Sequence, residues 1–171
     1  MSVRIAAILL LTACLVPWLA ACASYSGRGL MPGQSTEADV EAVMGEPAQV
    51  QEKPDGETVL WYPRLKYGRE NFAARIGPDG TLLSIEQRLT EENIARLVRN
   101  QTQAEDVSDL LGPPHRSDPF PRMDRQIWTY YMQGSPNWKV LYVQISPADH
   151  VVREVYYLDD PEAQAKGGRR R

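Results

Sequence analysis

The stretch Asp39–Pro47, "DVEAVMGEP", and the stretch Asp106–Pro114, "DVSDLLGPP", write one nine-residue pattern twice, 67 residues apart. Asp, Val, Gly and Pro recur at matching places, and apolar pairs fill the same gap. Val40, Val43 and Met44 fall at i, i+3 and i+4; Val107, Leu110 and Leu111 repeat the spacing, which marks one face of a helix. Gly45 and Gly112 stand where a helix takes a left-handed residue just past its end. Pro47 and Pro114, two residues on, forbid continuation. Ser35 or Thr36 can cap the first helix, with Glu37 and Asp39 in the first turn where the helix dipole favours acids. Thr102 with Glu105 spells a capping box for the second. A helix of about ten residues does not hold alone in water, so each copy needs a surface to lie on.

Working outward, the surface follows each helix. "TVLWYPR" (58–64), "NFAARI" (71–76) and "TLLSIEQRL" (81–89) read as strands, with "GPDG" (77–80) as a turn. "RQIWTYYMQ" (125–133), "WKVLYVQI" (138–145) and "HVVREVYYL" (150–158) read as strands joined by the turns "GSPN" and "SPAD". Alternation puts Leu141, Val143 and Ile145 on one face, assigned to the helices, and Val140, Tyr142 and Gln144 on the other. "TEENIARLVRN" (90–100) predicts a further short helix. Trp61 and Trp128 share the 67-residue offset and read as equivalent core anchors; later matches drift to 69 and 70, as loops of duplicated modules do. The expected fold is α+β and two-layer: two tandem units, 31–90 and 91–160, each a helix–turn–helix plus a three-stranded antiparallel sheet. One unit of this size buries too little surface to be robust, so pairing two is a physical route to stability.

The N-terminus, "MSVRIAAILLLTACLVPWLAAC", has Arg4, an apolar run and small residues before a cysteine. That is the layout of a secretory signal, predicted over 1–21. The uncharged stretch from Ile5 to Ala21 is 17 residues and holds Pro17, short and interrupted for a membrane span. "LAAC" (Leu19–Cys22) resembles the lipobox of bacterial lipoproteins, in which the Cys thiol is diacylglycerated and its freed amine acylated. "LTAC" (Leu11–Cys14) fits the same pattern but would leave a very short apolar region, so Cys22 is the assigned lipid-attachment residue. Ala23, where enteric-type sorting places Asp for inner-membrane retention, points to the outer membrane with the body in the periplasm. Residues 22–30 then read as a tether and 161–171, ending in "KGGRRR", as a basic disordered tail. The mature chain keeps 18 Lys and Arg against 22 Asp and Glu, a net charge of −4, and one cysteine. No intramolecular disulfide can form, and no basic stripe suits nucleic acid.

The lipobox, the twice-written helix pattern and the Trp-bearing first strand together resemble the SmpA/OmlA family of outer-membrane lipoproteins, of which BamE is the type. The tandem layout is similar to the fold of β-lactamase-inhibitor proteins. The resemblance implies a lipid-anchored accessory of the machinery that assembles outer-membrane β-barrels, with protein partners and no cofactor. The chain carries the unit twice where that family carries it once. The second function weighed is a periplasmic binding or inhibitor protein of the β-lactamase-inhibitor type. The third is a hydrolase.

Catalytic signals are thin. His115 with Asp118 three residues on reads as a loop histidine near a turn aspartate, His150 as a turn residue, and no nucleophile elbow, P-loop or zinc motif is written. No catalytic, metal or cofactor residue is assigned. Partner contact is assigned to what differs between the units: Tyr67 and Arg69 in the connection 64–72, Phe120 and Arg122 in the proline-punctuated loop 117–126, and Trp138 beside a hairpin turn.

Overall fold

A computed structural model of the chain describes residues 26–64, 69–134 and 137–161. The assigned Cys22 and Tyr67, the signal and nearly all of the basic tail lie outside the described residues. In chain order the elements are α1 (Glu37–Met44), β1 (Gln49–Glu52), β2 (Thr58–Pro63), β3 (Asn71–Ile76), β4 (Leu82–Gln87), α2 (Glu91–Ala95), α3 (Ala104–Leu111), β5 (Arg116–Phe120), β6 (Arg125–Met132), β7 (Lys139–Ile145) and β8 (Val152–Asp159). The strands form two four-stranded antiparallel sheets, ordered β1-β2-β3-β4 and β5-β6-β7-β8. The protein is therefore mostly β. The expected pair of helix–turn–helix units with three-stranded sheets is corrected on two counts. Each sheet has a fourth strand: Gln49–Glu52, which follows α1, and Arg116–Phe120, which runs into the segment read as the loop 117–126, supply the edge strands β1 and β5. Two helices precede a sheet only in the second unit, where α2 is five residues long.

The repeated pattern is a helix with its ends, as its residues dictate. Thr36 accepts from the Asp39 amide at 3.3 Å, and Asp39 accepts from the Thr36 amide at 2.8 Å. The Thr36 amide and, at 2.9 Å, the Thr36 hydroxyl both donate to the Asp39 carboxyl and hold it below its ordinary pKa. In α3 the box moves one residue from its expected place: Asp106 accepts from the Gln103 amide at 2.8 Å, while the Thr102 hydroxyl accepts from Val98 N. Gly45 and Gly112 end the helices at φ 88° and 78°, but with ψ near 180° rather than in the left-handed helical region expected. That extended, positive-φ conformation is essentially open to glycine alone. In both units the cap residue bridges to the start of the last strand, Thr36 to Thr81 and Gln103 to Val151.

Each helix lies on the inner face of its own sheet. Val40 and Met44 pack on Leu60, Tyr62, Ala74, Ile76 and Leu82. Val107 and Leu111 pack with Ile94 on Tyr130, Met132, Leu141, Val143, Ile145 and Val152. Full burial of such side chains contributes about 1.5–3 kcal/mol each, which is what secures helices too short to stand alone. β2 shows little alternation in burial, because Val59 and Trp61 on its outer face are as buried as Leu60 and Tyr62 on its inner face. Something covers the outer face of sheet 1, and it is the second unit.

Candidate binding face

The end of α3 plugs the outer face of sheet 1. A Cβ on Gly112 would stand 2.5 Å from the Trp61 ring and 2.6 Å from Asn71 Nδ2. The last carbonyls of a helix lack partners of their own, and here unit 1 supplies several. Arg88 donates to the carbonyls of Asp109 and Leu110, both at 3.3 Å. The fully buried Asn71 donates to Leu111 O at 2.5 Å and Pro113 O at 3.3 Å. Tyr130, from α3's own unit, donates to Gly112 O at 3.0 Å. Arg88 also sets a cation at the negative end of the helix dipole. Beside the plug, Asp109 accepts from Lys53 at 2.5 Å and Gln51 at 2.7 Å, and Gln51 in turn accepts from Trp61 Nε1 at 3.2 Å. A groove of about 210 Å³ remains. Its charges answer one another: Arg75 binds Glu57 through two nitrogens at 2.5 and 2.6 Å, and Arg88 binds Glu86 at 2.7 Å. It is a structural seam with paired charges, smaller than the usual ligand pocket.

A second tie crosses between the units. Arg69, at φ 54°, is 5% exposed and pairs with Asp160, 1% exposed, at 2.5 Å. Its guanidinium also lies 4.1 Å from the Trp138 ring centre and 5.6 Å from that of Tyr131. Arg69 and Trp138, both assigned to partner contact from the sequence, are each other's partners inside the chain. His115 sits edge-on to Tyr131 and accepts at Nδ1 from the Tyr131 amide at 3.2 Å. Burial pushes its pKa down to about 4; the Arg64 backbone opposes that shift and the nearby Arg69 charge adds to it. The imidazole is thus neutral and structural, fixed at one nitrogen by the chain. His115 is not brought together with Asp118, which pairs with Arg116 at 2.5 Å.

Among the described residues no helix end plugs the outer face of sheet 2, although Thr129, Val140 and Gln144 on it are buried. Its register defines four rows: Tyr131, Val140, Leu158; then Arg116, Thr129, Tyr142, Tyr156; then Asp118, Ile127, Gln144, Glu154; then Phe120 and Arg125. The Tyr142 and Tyr156 rings stack at 5.3 Å. Burial, followed by Tyr131, Tyr156 and Asp160, raises the Tyr142 pKa, with Arg116 opposing. The connection carrying Arg69 overhangs one end of this face. At the other end Phe120 is 42% exposed, and beyond it the tip residue Met123 is 50% exposed beside the exposed Arg122. Half-buried tyrosines with an apolar rim and flanking arginines are the residue types enriched in protein-binding hot spots. The sequence reading named Phe120 and Arg122, which stand at one end of this face, but did not name Tyr131, Tyr142 or Tyr156. Alternation in β6, β7 and β8, carried one step further, sets all three on the face that Tyr142 shares with Val140 and Gln144.

No family model matches the chain, and no curated protein matches it. Among solved structures it resembles a DUF4309 family protein (YjgB) from Bacillus subtilis at 22% identity and a TM-score of 0.30, over 78% of this chain and 84% of that one. It also resembles an extracellular protein containing an SCP domain from Bacillus anthracis at 14% identity and a TM-score of 0.28, over 77% of this chain and 44% of that one. Likenesses at these TM-scores carry no argument about fold or function. Neither brings an enzymatic family to the chain.

Proposed function

We propose that the chain is a lipid-anchored lipoprotein of the outer membrane, facing the periplasm, that acts without catalysis as an accessory or scaffold in outer-membrane protein assembly or envelope integrity. The anchor rests on the sequence "LAAC" with Ala23 behind it. The observation that carries association as the activity is the outer face of sheet 2, where Tyr142 and Tyr156 are half-buried and Phe120 is exposed, while α3 of the chain itself fills the equivalent face of sheet 1. The same tyrosine-lined face favours a second reading, a periplasmic inhibitor-type binder that captures an enzyme on a sheet.

The test is affinity purification of the full-length chain from detergent-solubilised envelopes, with components of the barrel-assembly machinery and periplasmic hydrolases quantified. Wild type should enrich assembly components. Tyr142→Ala with Phe120→Ser should lose them at an unchanged melting temperature. Enrichment of a hydrolase instead carries the second reading, and capture unaffected by the double variant overturns the face. In parallel, Cys22→Ala should abolish acylation and Cys14→Ala should not, as read by intact mass; the reverse result removes the anchor assignment.

A further inference from the structure

Sheet edges offer unpaired backbone groups, and folds protect them with short strands, prolines or cover. Three of the four edges here follow that rule. β1 is four residues long, β5 contains Pro119, and β4 is six residues long. β8 differs. It is eight residues long, holds no proline, and ends with Tyr157 40% and Leu158 54% exposed. Among the described residues only its first residue is covered: Val152 accepts from Asn100 N at 2.8 Å and donates to Thr102 O at 2.9 Å.

We propose that β8 is a homodimerisation edge, pairing antiparallel with β8 of a second copy about a two-fold axis through Tyr156, so that two four-stranded sheets join into one of eight. The occupant and the register both follow from the residues. Antiparallel pairing matches residues in like hydrogen-bonding phase, so the axis passes through a residue paired with its own copy. Centring on Val155 would set Arg153 opposite Tyr157 and make no charge pair, and it could not extend into Val152, whose backbone groups are already taken. Centring on Tyr157 would set Glu154 against Asp160, two acids, one of them buried. Centring on Tyr156 sets Val155 opposite Tyr157 and brings Arg153, the bulged residue between Val152 and Glu154, to Asp159 at both ends. Arg153 is held at the edge by Asn100 at 3.1 Å and by Asp149 of its own chain. Opposite charges across a strand pair stabilise it, and like charges oppose it. Tyr156, already stacked on Tyr142, would meet its copy on the outer face and make the tyrosine rows of both copies continuous.

The experiment uses single-cysteine additions to the purified full-length chain, oxidised with copper phenanthroline and read on non-reducing gels against the unsubstituted chain. Tyr156→Cys should cross-link to its copy as the dominant new species, because its Cβ faces its own copy. Glu154→Cys should not, since its copy lies four residues away along the pair, about 13 Å. Arg153→Asp added to Tyr156→Cys should lower the yield, and Arg153→Asp with Asp159→Arg should restore it. Equal yields at positions 154 and 156, no product at 156, or no restoration by the charge exchange would each overturn the proposal. Circular dichroism melting of every variant identifies loss of yield through unfolding, and the charge exchange then decides in a folded background. None of these outcomes depends on where the protein resides or what it binds.

Discussion

Gly45 and Gly112 finish the same helix in two units, in nearly the same backbone conformation. Nothing lies within 4 Å of the Cβ that Gly45 lacks, whereas Gly112 is pressed against Trp61 and Asn71. One glycine answers to its backbone alone, and the other to its backbone and to a neighbouring sheet. The two ends are alike in sequence and backbone, and only the second has a structural duty across the molecule.

The largest expected effect tests that difference directly. Gly112→Val should cost about 4 kcal/mol, adding a ring collision to the backbone strain, and Gly45→Val about 2 kcal/mol from strain alone. Chemical denaturation of both variants measures this, and equal losses would show that the plug is not tight. Next comes the other tie, for which unit 1 has no counterpart. Arg69→Met should cost about 3 kcal/mol, because it takes the ion-pair partner from the buried Asp160; Arg69→Met with Asp160→Leu should recover most of that. Failure of the double variant to recover would place the cost in lost stacking on Trp138 instead. The last test is a slope with pH. His115 has its folded pKa depressed to about 4 against an ordinary 6.5, so the unfolded chain binds the extra proton. Its contribution is present in full above pH 6.5 and is lost as pH falls toward 4, at up to about 1.4 kcal/mol per pH unit. His115→Phe should flatten the melting temperature across that window. An unchanged slope would mean that His115 is wetter than its place beside Tyr130 and Tyr131 implies.

The two tryptophans show how far sequence reading reaches. Offset alone makes Trp61 and Trp128 equivalent, yet they lie on opposite faces. Gln49, four residues past Gly45, pairs with Trp61, whereas Arg116, four residues past Gly112, pairs with Thr129. The strand pairing of unit 2 has slipped by one residue, and a slip of one changes the face. Trp128 therefore packs toward its own helices, while Trp61 points away from α1 and receives α3. Helices, the first helix's cap and six strands were legible because each is a local pattern. β1 and β5 were not, since edge strands with exposed or proline-bearing sequences carry little periodic signal. Nor was the Arg69–Asp160 pair, whose partners stand 91 residues apart and look like ordinary surface charges in the sequence.

The plug on sheet 1 also has a consequence for synthesis. A chain made from its N-terminus can finish the first sheet once Gln87 has emerged, long before Gly112 is available to cover it. During that interval Val59, Trp61 and Ala73 form an apolar patch open to solvent. A nascent chain stalled between the two units would carry this patch on an otherwise complete fold, the kind of species that recruits chaperones or aggregates. A truncation ending before α3 should consequently be less soluble than its composition suggests, and Trp61→Ser should restore its solubility.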